Sequence, residues 1–218
     1  MKNKRIKAIV DQIEGNTIAD IGTDHGYIPI FAIKMLNLQK AIACDIEAMP
    51  LFNAKKNIEQ NGLSHLIETR LGNGLAPLKK GEVDSIIIAG LGGDVMQNIL
   101  IKNADITSYS TQLILSPHTK IETIRRTVHS LNFNIKSELI IKDEKYYHIL
   151  NCIKSTSIKK YTEAEYYIGK PLYNDTFLKY LLTQKNKLQS ILNKINKDNY
   201  KKSKLEQQLI WINDALAK

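Results

Sequence analysis

The chain has 218 residues, of which 43% are hydrophobic and 24% charged, with a formal net charge of +9. Its length allows one good core and a small appendage, and no apolar run approaches the ~20 residues that cross a bilayer. The amino-terminal residues begin an amphipathic helix rather than a secretory signal, so we expect a cytoplasmic monomer without membrane contact. Cys44 and Cys152 provide neither a disulfide framework nor a metal site, and both are predicted to lie in the core.

The positive charge is concentrated near the carboxyl end. Residues 154–218 contain 13 lysines and 6 acidic residues, a balance of +7, whereas residues 1–153 contain 18 basic and 16 acidic residues, a balance of +2. This distribution predicts a domain over 1–154 that performs chemistry and a basic domain over 155–218 that binds a polyphosphate such as nucleic acid. A solvated lysine-rich helix surface is the alternative.

Apolar patterns alternate between strand and helix along the first domain. Helices are predicted over 3–14, 28–36, 47–61, about 94–101 and 121–131, and strands over 17–21, 41–45, 67–71, 83–89 and 112–117. Residues 134–141 and 146–153 are predicted to form an antiparallel hairpin. The chain therefore predicts an α/β, doubly wound, Rossmann-like sheet with an antiparallel last strand.

The second domain has a different apolar spacing, of three, four and seven residues. This spacing predicts a pair of helices that forms an antiparallel coiled-coil hairpin with its turn at 198–200. An ordinary amphipathic pair packed on the sheet remains the alternative. The predicted seam contains Leu178, Leu181, Leu188, Leu192 and Ile195, and then Leu205, Leu209, Ile212 and Leu216.

A glycine-containing loop follows the first strand, and an acid ends each of the first two strands. In an open α/β sheet such a loop lies where a nucleotide-like ligand binds, and Asp45 is placed to accept both hydroxyls of a ribose. The loop lacks the Gly-x-Gly-x-x-Gly spacing that suits a pyrophosphate. Its acids, Asp20 and Asp24, instead suit the ammonium and sulfonium of S-adenosyl-L-methionine, so the sequence favours this cofactor over a dinucleotide.

These loops together resemble the bacterial tRNA (adenine-22-N1)-methyltransferases. The resemblance rests on residues 20–29 (Asp-Ile-Gly-Thr-Asp-His-Gly-Tyr-Ile-Pro), on Asp45, and on the glycine-containing runs 72–75 and 88–93. It also includes the order of a class I methyltransferase domain and a basic helical domain. The chain departs from the family pattern at Gly26, at Leu91 and over 116–118.

The resemblance implies methyl transfer from S-adenosyl-L-methionine to N1 of adenine in tRNA. Because the methylated base becomes cationic, a carboxylate near it suits the reaction, and Asp24 is the first candidate and Asp94 the second. The candidate substrate contacts are Tyr27, Gly93, Arg125 and Arg126. The implied cofactor-binding residues are Asp20, Gly22, Thr23, His25, Gly26, Asp45, Ile46, Asn73, Gly74, Ala89, Gly90 and Gly92.

Structural roles compete with several of these assignments. Asp24 could cap the following helix, and His25 and Tyr27 could simply pack. The Arg125-Arg126 pair could be solvated, and structural roles are expected for His118, His129 and His148, which show no ligand spacing. Methylation of another RNA or a small molecule, and an RNA-binding module with a relic cofactor pocket, are the alternative functions.

Overall fold

A computed structural model describes residues 4–194 and 201–217. A seven-stranded sheet forms its centre, in the order β3-β2-β1-β4-β5-β7-β6. Strands β1 to β5 are parallel, β7 is antiparallel to β5, and β6 is antiparallel to β7. This confirms the predicted sheet with an antiparallel strand. The strands are β1 (Thr17–Ile21), β2 (Lys40–Asp45), β3 (Ile67–Leu71), β4 (Ser85–Ala89), β5 (Gln112–Ser116), β6 (Phe133–Lys142) and β7 (Tyr146–Lys154).

Helices connect the parallel strands and follow the last hairpin. They are α1 (Lys4–Val10), α2 (Tyr27–Leu36), α3 (Ala48–Gln60), α4 (Gly93–Lys102), α5 (Ala104–Thr107), α6 (Ile121–Ser130), α7 (Glu163–Ile168), α8 (Asp175–Leu192) and α9 (Lys202–Leu216). The short helices α5 and α7 have too few residues to show a helical apolar period, and the sequence did not predict them. Helix α1 ends four residues earlier than predicted.

Both faces of the sheet are covered, as the near-continuous apolar runs of its strands require. In β4, Ile86 and Ile88 pack into one apolar cluster and Ile87 into a second on the other face. Cys44 and Cys152 are fully buried, which confirms the prediction that they pack in the core. The strands are therefore held rigidly, and their carboxyl ends form a fixed edge from which the loops project.

The carboxyl-terminal helices pack on the sheet and on each other. Phe177, Leu181 and Leu188 of α8 and Ile212 of α9 form one buried cluster with Ile140 of β6. Phe177 rather than the predicted Leu178 is buried. Six residues of the predicted seam belong to this cluster or pack against it: Leu181, Leu188, Leu205, Leu209, Ile212 and Leu216. Residue 195 and the predicted turn at 198–200 lie outside the described residues.

Candidate active site

The loops after β1, β2, β3 and β4 surround a cleft of about 590 Å³, which α1, α4 and the loop after β5 also border. A smaller pocket of about 160 Å³ adjoins it beside α1 and the start of α2. The predicted cofactor residues that line the cleft are Gly22, Asp45, Ile46, Asn73, Gly74, Ala89 and Gly90. Those that line the smaller pocket include Asp20, Thr23 and His25. Residues distant in sequence thus meet at one edge of the sheet.

Asp45 joins the loops after β1 and β2. Its Oδ2 accepts a hydrogen bond from the backbone N–H of Asp24 (3.1 Å), and its Oδ1 accepts one from the N–H of Glu47 (3.0 Å). The residue is only 8% exposed, yet it lines the cleft. Each carboxylate oxygen retains a lone pair, so the geometry is compatible with acceptance of two hydroxyl groups.

Asp20 lies deeper, at the end of β1. It is 2% exposed, and its Oδ2 accepts a hydrogen bond from the Thr23 hydroxyl at 2.7 Å. Burial raises the pKa of Asp20 to about 7; the nearby Asp45 acts in the same direction, whereas Thr23 and Arg5 oppose it. A cation bound beside this carboxyl group would favour its ionised form.

Asp24 has a left-handed backbone conformation in the loop after β1. Its φ is 53°, its side chain is 68% exposed, and its carboxylate lies 3.5 Å from Nε2 of His25. Gly26 occupies the N-cap position of α2, with no side-chain cap. The alternative that Asp24 caps this helix is therefore wrong. The Asp24 side chain is available to the cleft that it lines.

His25 and Tyr27 form an aromatic pair that lines the smaller pocket. Their ring centroids are 5.3 Å apart with an interplanar angle of 29°, and Tyr27 is 53% exposed. An exposed stacked pair presents a ring face that a flat ligand could cover.

Two glycines let the loop backbones turn sharply beside the cleft. Gly22 has a φ of 73° and Gly90 a φ of 92°, a region that residues with a Cβ rarely adopt. Leu91 contacts the Gly22 position from the opposite loop, since a Cβ there would stand 3.6 Å from Leu91 Cδ2. The two loops therefore approach closely between β1 and β4. Gly92 is the N-cap residue of α4.

The structure corrects the predicted roles of Asp94 and Gly93. Asp94 points to Lys120 in an exposed ion pair of 2.5 Å and does not line the cleft. Gly93 is buried against the backbone, because a Cβ there would stand 2.5 Å from the Thr119 carbonyl oxygen, so it cannot contact a substrate through its Cα face. Neither residue is positioned for the chemistry that the sequence suggested.

The side chains of Arg125 and Arg126 both form ion pairs within the fold. Arg125 is 1% exposed, forms a buried ion pair with Glu138, and donates to the carbonyl oxygens of Tyr166 and Tyr167. Arg126 pairs with Glu122 at 2.8 Å and Glu163 at 2.6 Å. The charge of Arg125 is compensated inside the fold, which contradicts the predicted phosphate contact of this residue. The ion pairs of Arg126 lie at the surface, where its side chain is 39% exposed.

The cleft residues that sequence reasoning did not assign to the site include Arg5 and His118. Arg5 of α1 donates to the Ser116 carbonyl oxygen at 3.2 Å, and its guanidinium lies 4.8 Å from the Tyr147 ring centroid. His118, expected to be structural, borders the cleft just after β5. Its place at the carboxyl end of a parallel strand was a usable signal, whereas Arg5 gave none. His129 and His148 lie buried in side-chain hydrogen bonds with Tyr166 and Glu138, as predicted.

The sheet order, the glycine loop after β1 and the acid at the end of β2 define the methyltransferase class of α/β proteins. A family model described as a methyltransferase domain matches residues 2–150. The matched part comprises the whole sheet except the end of β7.

Individual relatives place the chain more narrowly. The Bacillus subtilis tRNA (adenine(22)-N(1))-methyltransferase is 35% identical over 150 residues, which are 68% of this chain and 63% of that enzyme. The structure of Mycoplasma capricolum TrmK with S-adenosyl-homocysteine has 31% identity and a TM-score of 0.89, over 99% of this chain and 97% of that one. The B. subtilis M1A22 tRNA methyltransferase TrmK gives a TM-score of 0.87 with 29% identity, over 98% and 97% of the two chains. The chain belongs to the tRNA (adenine-22-N1)-methyltransferase family within the methyltransferase domain family.

Within residues 4–194 and 201–217, every helix is too short or too polar to span a bilayer. No group of three His, Cys, Asp or Glu side chains there is arranged to hold a metal ion.

Proposed function

We propose that this chain transfers a methyl group from S-adenosyl-L-methionine to N1 of adenine 22 in tRNA. The observation that carries the proposal is the cleft itself, which combines carboxylates and one guanidinium at the end of a methyltransferase sheet. The likeness to TrmK of M. capricolum over nearly the whole chain supports the same activity.

The side chains around the cleft match the charges of the cofactor. Asp45 would accept the ribose hydroxyls, and Asn73 would bind the edge of the adenine. Asp20 and Asp24 suit the ammonium and the sulfonium, while Arg5, beside them, suits the carboxylate of the same amino-acid group. When bound, the cofactor supplies an electrophilic methyl group.

The reaction requires mainly that the protein orients the adenine relative to the methyl group. Ring N1 of adenine has a lone pair and needs no deprotonation before it attacks a methyl group, so the site has to align the base and stabilise its developing positive charge. Asp24, exposed at the cleft, is suited to that stabilisation. The target base must leave its stack to enter, and Tyr27 and His25 offer a surface for it.

The lysines of α8 and α9 would hold the folded tRNA by its phosphates. Lys179, Lys187 and Lys204 are exposed on these helices. Such a contact predicts that log affinity falls with log salt concentration at roughly 0.7 to 0.9 per phosphate. A tRNA substrate is consistent with action as a monomer in the cytoplasm.

The test uses S-adenosyl-L-methionine with a tritiated methyl group and a tRNA transcript. We expect label in the transcript, N1-methyladenosine on nuclease digestion and mass spectrometry, and loss of incorporation when adenine 22 is replaced by guanine. A different methylated nucleoside would favour another RNA target. No transfer to any RNA, with the cofactor bound, would favour a non-catalytic RNA-binding module.

A further inference from the structure

His118 faces the loop that follows β4. Its backbone N–H donates a hydrogen bond of 2.9 Å to the carbonyl oxygen of Leu91, which fixes the loop after β5 against the loop after β4. Its ring nitrogen Nε2 lies 4.0 Å from the point where a Cβ on Gly90 would stand. The imidazole and Gly90 therefore border the same part of the cleft.

The loop after β4 has no side-chain acceptor of its own before α4, because it consists of glycines and Leu91. Two of its three carbonyl groups already accept hydrogen bonds, that of Leu91 from the N–H of His118 and that of Gly92 from the N–H of Met96 at 3.0 Å. A base that enters beside Gly90 thus finds few free acceptors in this loop. Of the two side chains that border the Gly90 position, Arg5 has only donors, so His118 is the one that can accept.

Two positively charged side chains, Arg5 and Lys145, lie near the ring of His118. The guanidinium of Arg5 lies 3.7 Å from the point where a Cβ on Gly90 would stand. The ring of His118 lies 6.1 Å from the ring of Tyr147, measured between centroids. Nζ of Lys145 lies 5.3 Å from the centroid of the same tyrosine ring. Partial burial lowers the pKa of His118, and the charges of Arg5 and Lys145 lower it further. The imidazole is therefore neutral at pH 7, with one nitrogen free to accept a hydrogen bond.

We propose that His118 accepts a hydrogen bond from the exocyclic 6-amino group of the target adenine and thereby selects adenine over guanine. The inference rests on the proposed function. Adenine carries this amino group next to N1, the atom that attacks the methyl group, so one contact fixes both the identity and the orientation of the base. Guanine presents a carbonyl oxygen at the same position, which would face the lone pair of the imidazole without a hydrogen between them.

The experiment combines enzyme variants with an altered substrate. Two tRNAs are assembled by ligation of synthetic halves, one with adenosine at position 22 and one with purine riboside, which lacks only the 6-amino group. His118→Phe removes the acceptor and keeps a ring, whereas His118→Gln keeps an acceptor near the position of Nε2. His65→Phe is the matched control, since His65 is exposed just before β3, at the opposite edge of the sheet.

On the adenosine tRNA, we expect kcat/KM of H118F to be roughly tenfold below that of the wild-type enzyme. On the purine riboside tRNA, we expect H118F and the wild-type enzyme to have the same kcat/KM. H118Q should recover most of the loss, and H65F should behave as the wild type on both tRNAs. An equal loss for H118F on both tRNAs, or no loss on either, would overturn the proposal. Failure of the wild-type enzyme to methylate the adenosine tRNA would instead overturn the proposed function.

A pH profile provides a second readout that a packing role would not change. Protonation of His118 removes its acceptor, so kcat at saturating tRNA should fall on the acid side in the wild-type enzyme and fall less steeply there in H118Q, in which the carboxyl groups of the cleft still titrate. Lys145→Gln removes a positive charge near the ring and should move this acid limb to higher pH. The same acid limb in the wild-type enzyme and H118Q would contradict the proposal.

Discussion

The backbone N–H of Asp24 donates a hydrogen bond to Oδ2 of Asp45 across 3.1 Å, so the candidate catalytic loop is held by the carboxylate at the end of the next strand. The other oxygen of that carboxylate holds the backbone after β2 through Glu47. One side chain thus fixes the loops on two sides of the cleft and still faces the cavity.

Asp45→Ala should weaken cofactor binding by about tenfold or more, because it removes a charged acceptor and releases both loops. Calorimetric titration with S-adenosyl-homocysteine measures the change. Asp105→Ala is the control, since Asp105 is exposed on α5 and pairs with Lys80 at the surface. Equal affinities of the Asp45 variant and the wild-type protein would show that Asp45 does not bind the cofactor.

The raised pKa of Asp20 predicts a pH dependence of stability. The carboxyl group has a pKa of about 7 in the folded protein, compared with 3.8 as its ordinary value. Between these values the folded state holds a proton that the unfolded state has lost, so this group makes the free energy of unfolding fall as the pH rises from about 4 to about 7. Asp20→Asn can keep the hydrogen bond from Thr23 and lacks this titration. The melting temperature of D20N relative to the wild type should therefore increase from pH 5 to pH 7.5, whereas a constant difference would refute the assignment.

Arg125 and Glu138 predict a large and selective stability effect. Burial works to raise the pKa of Glu138, but Arg125 and His148 outweigh it and hold this pKa at about 2. Arg125→Met would leave a buried carboxylate without its main partner and should cost about 3 to 5 kcal/mol in the free energy of unfolding, measured with urea. The side chain of Arg126 is 39% exposed, so its ion pairs are at the surface. Arg126→Met should therefore lower the free energy of unfolding by no more than about 1 kcal/mol. Similar losses for both variants would contradict the distinction.

Neutralisation of Lys179, Lys187 and Lys204 together should lower the affinity for tRNA and leave the affinity for the cofactor unchanged. If each lysine contacts one phosphate, the slope of log affinity against log salt should become less negative by roughly 2 to 3. The matched control neutralises Lys34, Lys79 and Lys102, which lie at the opposite edge of the sheet from the cleft. Equal effects of the two triple variants would argue against a role of α8 and α9 in tRNA binding.

Substitution is preferable to deletion of residues 155–218. That deletion would remove the carbonyl groups of Tyr166 and Tyr167, to which Arg125 donates. It would thereby expose the buried ion pair, and a loss of tRNA binding could then reflect a damaged fold.

The order of the strands and of the longer helices, the loop at Gly22 and the acid Asp45 were predictable from the sequence, because each depends on local properties. Apolar period distinguishes strand from helix, glycine marks sharp turns, and an acid after a buried strand must lie at the edge of the sheet. These features were enough to infer the class of cofactor.

The partners of individual side chains were decided only by the tertiary structure. Arg5 meets Ser116 across 111 positions of sequence, and Arg125 meets Glu138 only because α6 packs against the sheet edge and α7 covers both. A basic pair on a helix has the same local pattern whether it faces phosphate or a buried carboxylate. Burial and charge compensation arise from contacts between distant segments, which no local spacing encodes. The carboxyl end of β5 already places His118 near the cleft, but its proximity to Gly90 and Arg5 depends on how the loops after β4 and β5 pack together.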